Sequence, residues 1–383
     1  MAYHFLFPEK DTTIYSHPSR QDLNTGVGEI LELTTEKGTN NELYYPSRIL
    51  LQFKNSELTD VFSNKITGSF EANLKLYATE FAQNFPTSQN IELYPLSESW
   101  DNGNQKYNEN PTNNNITSNG CSWLYRDNGT TKTSWGTLTP NTTGSFSGSS
   151  TPVSGGIWYT GSGFESTQTL GIVNDLDLNF DVTSQIQKVS ASIFGGGHAY
   201  PNAINNNGFI ILRENDVHNN VTDQGSLKYF SVDTNTIFSP TLSIKWDDSS
   251  YITGSGATLL NSGKIQLNIS NNKKYYKNSE EYTFRINVRK QFPTRTFTTS
   301  SNFLDVGYLS STSYYSIEDF TSKEVIIPFD TSYTKLSADS EGMFFKLDMN
   351  GLQPERYYKI LIRHDCNDGI IFYDDYCYFK VER

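Results

Sequence analysis

Asn73-Leu74-Lys75-Leu76-Tyr77 alternates apolar and polar residues without a break. A period of two sets Leu74 and Leu76 on one face, the mark of a half-buried strand. Ile91-Glu92-Leu93-Tyr94 and Leu242-Ser243-Ile244-Lys245-Trp246 repeat the pattern, and Ile30–Leu33 and Ile49–Phe53 follow it in part. Gly208-Phe-Ile-Ile-Leu212 is a solid apolar run, which suits a central strand buried on both faces. Polar turns separate these short segments, with no helical stretches between them. That order predicts an all-β sandwich or jelly roll rather than a parallel α/β sheet.

Composition points the same way. Tyr and Phe are abundant in the 383 residues, and Met is scarce. The length allows two or three domains with a sizeable core. No long apolar run predicts a transmembrane helix. The start, Met-Ala-Tyr-His-Phe-Leu-Phe-Pro-Glu-Lys, has no basic segment and too short an apolar run, so no secretory signal is expected. A formal net charge of −12 argues against nucleic acid as a main partner, because phosphate contacts need clustered Lys and Arg. Cys121, Cys366 and Cys377 are too few for a disulfide scaffold and too scattered for zinc. Cys366 and Cys377 flank an Asp-Gly turn and are placed to face each other across a hairpin. Two reduced thiols are the expectation.

From Asp101 to about Gly163 the strand pattern gives way to Asn, Thr, Ser and Gly, as in Thr112-Asn-Asn-Asn-Ile116 and Thr143-Gly-Ser-Phe-Ser-Gly-Ser-Ser. Yet Trp123, Trp135 and Trp158 lie inside this stretch, and large aromatics need something to bury against. The stretch reads as an ordered insertion with one or two added strands. Its tryptophans and Tyr159 are the candidate ligand residues, because a sugar's apolar face stacks on an exposed ring. The alternatives are core packing or a subunit interface.

A Gly/Ser segment around Ser249–Ser262 reads as a linker. Beyond it, Lys264–Ile269, Tyr282–Val288, Val325–Ile327, Phe344–Leu347, Tyr358–Ile362 and Ile370–Val381 form a second β series. About seven short strands in such a length suit an immunoglobulin-like sandwich. Leu352-Gln-Pro-Glu-Arg-Tyr357-Tyr358 has the form of a tyrosine corner, with Tyr357 or Tyr358 bonding upstream backbone. The expected division is a jelly-roll-like sandwich over 1–248 with its insertion at about 101–163, a linker over 249–263 and an Ig/fibronectin type III-like sandwich over 264–383.

Several first-domain segments recur in one order: Asp11-Thr-Thr-Ile14, Asn24-Thr-Gly26, Arg48-Ile-Leu-Leu51-Gln-Phe53, Ala72–Tyr77, Trp100, Ser122-Trp123, Phe180-Asp-Val-Thr183, Gly208-Phe209 and Pro240–Ile244. This succession resembles the DNRLRE-type β-sandwich over roughly residues 5–247. Two departures stand out: a much longer insertion, and no export signal. The resemblance implies a surface-module scaffold, with polysaccharide binding among relatives. An Asn/Tyr-rich chain with this module and an Ig-like tail also resembles structural proteins of tailed phages, especially those of marine cyanobacteria.

Residue patterns that carry catalytic chemistry are few. The chain lacks His-Glu-x-x-His, the phosphate-loop and the Gly-x-Ser-x-Gly patterns. Gly195-Gly-Gly197 fits no dinucleotide motif, and His4, His17, His198, His218 and His364 are widely separated. Asp175/Asp177, Asp247-Asp248 and Asp374-Asp375 read as solvated turn residues rather than a glycosidase pair. Asp101-Asn-Gly-Asn is rich in oxygen donors but fails the EF-hand spacing; calcium is the one cofactor left open. These readings predict a non-enzymatic protein with no catalytic or metal residues. It would assemble into a tailed-phage virion with copies of itself and other virion proteins. The alternative is a module recognising surface glycans. Neither nucleic acid nor membrane is an expected partner.

Overall fold

The computed structural model describes residues 3–38, 43–79, 86, 88–106, 119–136, 142–146, 152–171, 176–193, 203–214, 216, 222–254, 257–292 and 307–383. The chain is all-β, built from mainly antiparallel sheets, with Tyr275–Lys277 beside Tyr378–Glu382 and Thr258–Leu259 beside Gly307–Tyr308 as parallel pairs. It divides into two compact units. The larger holds Leu6–Asn64 and Ala72–Ser243; the smaller holds Met1–Phe5, Lys65–Glu71 and Ile244–Arg383.

In the larger unit the strand Tyr44–Phe53 is central to the main sheet. On one side it pairs with Phe209–Arg213. On the other, Pro8–Tyr15 and the end of Ile30–Lys37 share its length. Phe209–Arg213 continues to Ser88–Pro95, which pairs with Ser166–Gly171, while Ile30–Lys37 carries Ser226–Phe230. The run read as a central strand is buried at every position, with neighbours on both edges. Gly208 starts it at φ +87°, where a Cβ would lie 2.1 Å from the Leu51 carbonyl oxygen. Only glycine admits that approach. Phe70–Leu76, which holds the alternating Asn73–Tyr77 run up to Leu76, buries Leu74 and Leu76 and pairs with Leu178–Asp181 in a different sheet. Successive strands thus pass from sheet to sheet, as in a jelly roll.

The helix Thr183–Ile193 departs from expectation, since that region reads as strand and turn. Asp181 accepts the Thr183 N–H at 2.9 Å, and Ile186 and Val189 turn inward. The signal was present as Val182, Ile186 and Val189 at helical spacing behind an Asp cap. The insertion is ordered where described, as two hairpins: Tyr125–Asp127 with Thr133–Ser134, and Thr142–Phe146 with Pro152–Tyr159. Thr112–Ile116 lies outside the described residues, as do parts of Thr143–Ser150.

The smaller unit holds two sheets over one core. The first centres on Glu281–Lys290, between Ile265–Ile269 and Gly342–Asp348. The second centres on Arg356–Cys366, which pairs with Ser313–Asp319 along one edge. Its other edge is shared by Tyr378–Glu382 and Gly369–Tyr373. Tyr275–Lys277 and Val325–Ile327 extend this sheet. The interior packs Phe284, Tyr315 and Phe345 as stacked rings, 5.1 Å and 4.4 Å apart. Tyr358 closes the tyrosine corner: its hydroxyl donates to the Gln353 carbonyl at 2.9 Å, while Tyr357 faces solvent. The segment 249–263 belongs to this unit. Ile252 and Ser250 bond Ala338 through backbone, and Leu260 is buried in the core. Tyr3 joins the same core. Asp348 ties the unit's three segments together by accepting from Lys65 and lying 3.3 Å from His4. Cys366 stands opposite Gly369 rather than Cys377, whose sulfur accepts from Asn272. A two-residue hairpin fixes the first partner, so the two thiols do not face each other.

Candidate interaction face

The tryptophans of the insertion lie inside the protein. Trp123, Trp135 and Trp158 are at most 6% exposed and share a core with Trp100, Ile14, Leu50 and Ile210. Trp123 and Trp158 take Arg48 as their ring partner, its guanidinium carbon 4.5 Å from one ring centre and 5.1 Å from the other. Arg48 is buried too. Its Nε meets Asp216 at 2.6 Å, and its Nη1 donates to the Gly155 carbonyl at 2.6 Å. Gly155 sits at φ +103°, and a Cβ there would press on Arg48 and Trp123. This arrangement corrects the stacking expectation, because none of the three rings presents a face to a sugar. Tyr159 is half-buried and stacks on Phe164 at 5.5 Å.

The Asn24-Thr-Gly26 segment has a related use. Asn24 Nδ2 donates to the carbonyls of Asn102 and Cys121, both at 2.8 Å. Asn102 donates back to Gly26, and the Thr25 hydroxyl bonds Thr13. The oxygen-rich segment after Asp101 is therefore joined to a backbone clamp. Among the described residues, no three or more His, Cys, Asp or Glu side chains group to hold a metal ion.

Of the histidines, His198 and His218 lie outside the described residues, as do Gly195–Gly197 and Asp175. His364 is buried, with Nε2 3.1 Å from the Ser310 hydroxyl, and desolvation lowers its pKa. The same Ser310 hydroxyl is 2.8 Å from Thr312 and within reach of the Asp365 carbonyl, so it joins a strand-end lock.

The accessible aromatics are elsewhere. Along Arg356–Cys366, Tyr358, Ile360, Ile362 and His364 point inward, while Tyr357, Lys359, Leu361, Arg363 and Asp365 form the outer row. Register extends that row across the sheet. Lys380 stands between Tyr357 and Tyr275; Lys359 stands between Tyr378 and Glu318. Phe372 is opposite Arg363, and Ile370 is opposite Asp365. Phe320 follows at the strand end, its N–H bonded to the Tyr357 carbonyl, and its ring is 5.7 Å from Tyr378. Val325 and Tyr376 complete the exposed set. Phe372 is 63% exposed and Tyr376 77%. The larger unit contributes no large exposed apolar side chain among its described residues; Ile252, Leu259 and Phe292 are the others in the smaller unit.

Charges on this face are compensated locally. Lys380 meets Glu355 at 2.6 Å, Arg363 meets Asp365 at 2.7 Å, and Lys359 meets Asp374. Bonding to Asp365 raises the Arg363 pKa. Burial alone would raise Asp374, but Lys359 holds it below the usual carboxylate range. Exposed rings and aliphatic side chains interleaved with paired charges on one sheet face are compatible with a protein contact.

The sequence pattern marks Val325–Ile327, Tyr358–Ile362 and the Ile370–Val381 stretch, which the structure divides into Gly369–Tyr373 and Tyr378–Glu382, but it does not mark Tyr275–Lys277 or Ser313–Asp319. Nor does it mark the face, because alternation alone does not say which side of a sheet meets the core. The signal was the Tyr357-Tyr358 pair: once Tyr358 closes the corner, Tyr357 must point out. Among the described residues, no helix is long and apolar enough to cross a membrane. Compared with known proteins, the chain matches no family model and no curated protein.

Proposed function

We propose that this chain is a non-enzymatic structural component of a tailed-phage particle, acting by protein–protein docking. The observation that carries the docking reading is the outer face of the C-terminal sandwich, where exposed rings concentrate on one sheet. The insertion's tryptophans support it as well, since they build a rigid core around Arg48. The phage assignment rests on the sequence resemblance. Fractionation of infected cells tests it. The protein should copurify with intact particles, and its presence in uninfected cells with absence from particles would reject the assignment.

A second reading, recognition of surface glycans, draws on the exposed Tyr275, Tyr357 and Tyr378. The Tyr357 and Tyr378 rings lie at 62° to each other, which disfavours a flat sugar platform across them. Calorimetry with host-surface oligosaccharides separates the readings: docking predicts no heat of binding.

A further inference from the structure

We infer that the outer face of the C-terminal sandwich pairs with the same face of a second copy of this chain. The inference rests on the docking reading and names its occupant.

Charge supplies the first argument. Each chain carries −12, so two copies repel wherever their acidic surfaces meet. On this face the lysines and arginine alternate with carboxylates at hydrogen-bond distance: Lys380 with Glu355, Lys359 with Asp374, Arg363 with Asp365. Two such faces meet without a net like-charge penalty, and a strongly basic or acidic partner gains nothing from them. Rim charges of one copy can exchange partners with those of the other, as an isologous contact requires.

Area supplies the second. The sheet is five strands wide only where Tyr275–Lys277, Tyr378–Glu382, Arg356–Cys366, Ser313–Asp319 and Val325–Ile327 run side by side, and it narrows to three beside Gly369–Tyr373. At about 4.8 Å per strand and about 3.3 Å per residue the flat footprint is on the order of 400 Å². That is far larger than a single sugar needs. Counted on two copies it reaches about 800 Å², the weak, transient end of contacts between proteins. The pairing is therefore reversible and concentration-dependent in solution. It becomes strong where an assembly holds copies close together, because effective concentration then replaces affinity. Sheet faces stack about 10 Å apart, which lets Tyr357, Phe372 and Tyr378 interdigitate with their equivalents.

Sedimentation velocity on the full chain, from about 1 μM to several hundred μM, tests the pairing. The expected result is a concentration-dependent shift from monomer to dimer. Tyr357→Ser with Phe372→Ser should remain monomeric throughout, with an unchanged circular dichroism spectrum. Phe292→Ser, exposed but off the face, should still dimerise. A wild type that stays monomeric, or a dimer that survives the double substitution, overturns the self-pairing. A parallel measurement keeps that failure distinct from failure of the docking reading. If the double variant is lost from purified particles although the wild type is monomeric, docking stands and the occupant is a different protein.

Discussion

Arg48 shows how much one side chain can organise. Its guanidinium lies within 5.1 Å of the ring centres of both Trp123 and Trp158 and pairs with Asp216, both side chains being 1% exposed. Removing one partner of such a pair leaves a buried charge, which costs more than the pair itself contributes. Arg48→Met should therefore destabilise the larger unit by about 3–5 kcal/mol. Arg48→Met combined with Asp216→Leu should regain most of that loss, because the orphan carboxylate is gone. Urea denaturation of the single and double variants measures both; equal losses would mean the cation–ring contacts matter more than the ion pair. The sequence displayed Arg48 at a strand start and the tryptophans in the insertion. It did not display their meeting, since Arg48 and Asp216 are 168 residues apart and nothing local marks a partner at that distance.

At the scale of elements, the legible parts were those whose physics is local. Asn73–Leu76 and Gly208–Leu212 declare themselves by periodicity, and the structure places them as a half-buried and a central strand. The tyrosine corner was equally local, down to a choice between adjacent residues. Because Tyr358 is the one that donates to Gln353, Tyr358→Phe should lower the stability of the smaller unit by about 1–2 kcal/mol. Tyr357→Phe should change it by less than about 0.5 kcal/mol, since its ring is exposed. Denaturant midpoints read by near-ultraviolet circular dichroism distinguish the two, and a larger effect at Tyr357 would reverse the assignment. The Thr183–Ile193 helix was harder to see because Ser, Thr and Gln dilute its apolar stripe. The membership of Tyr3 in the C-terminal core could not be read at all, because sequence order gives no hint that the first strand belongs with the last.

At the scale of the whole molecule, the two units carry buried acids of opposite tendency. In the larger unit Asp11 is buried with one oxygen bonded to the Val232 N–H and the other without a partner among the described residues. Desolvation lifts its pKa from 3.8 to about 7, and burial also raises Glu92 and Asp233. A carboxyl raised on folding stabilises fully below its unfolded pKa and loses that contribution as pH rises through the folded value. The larger unit should therefore be more stable at pH 5 than at pH 8, by on the order of 2–4 kcal/mol from Asp11. In the smaller unit burial would raise Asp319, but Arg356 at 2.7 Å and the Ser322 N–H and hydroxyl bring it down to about 2. His4 and Lys65 likewise lower Asp348 against its burial. A lowered carboxyl contributes above its unfolded pKa and loses that contribution as pH falls toward the folded one. His364, lowered by desolvation, adds acid sensitivity below about pH 6.5. Scanning calorimetry from pH 8 to pH 4 should show the larger unit's transition rising by about 5–10 °C while the smaller unit's falls. Asp11→Asn keeps an acceptor for Val232 and removes the charge. It should hold the larger unit's transition high at pH 8 and remove most of its pH dependence, leaving the smaller share of Glu92 and Asp233; a variant that loses as much stability between pH 5 and pH 8 as the wild type would exclude Asp11 as the cause.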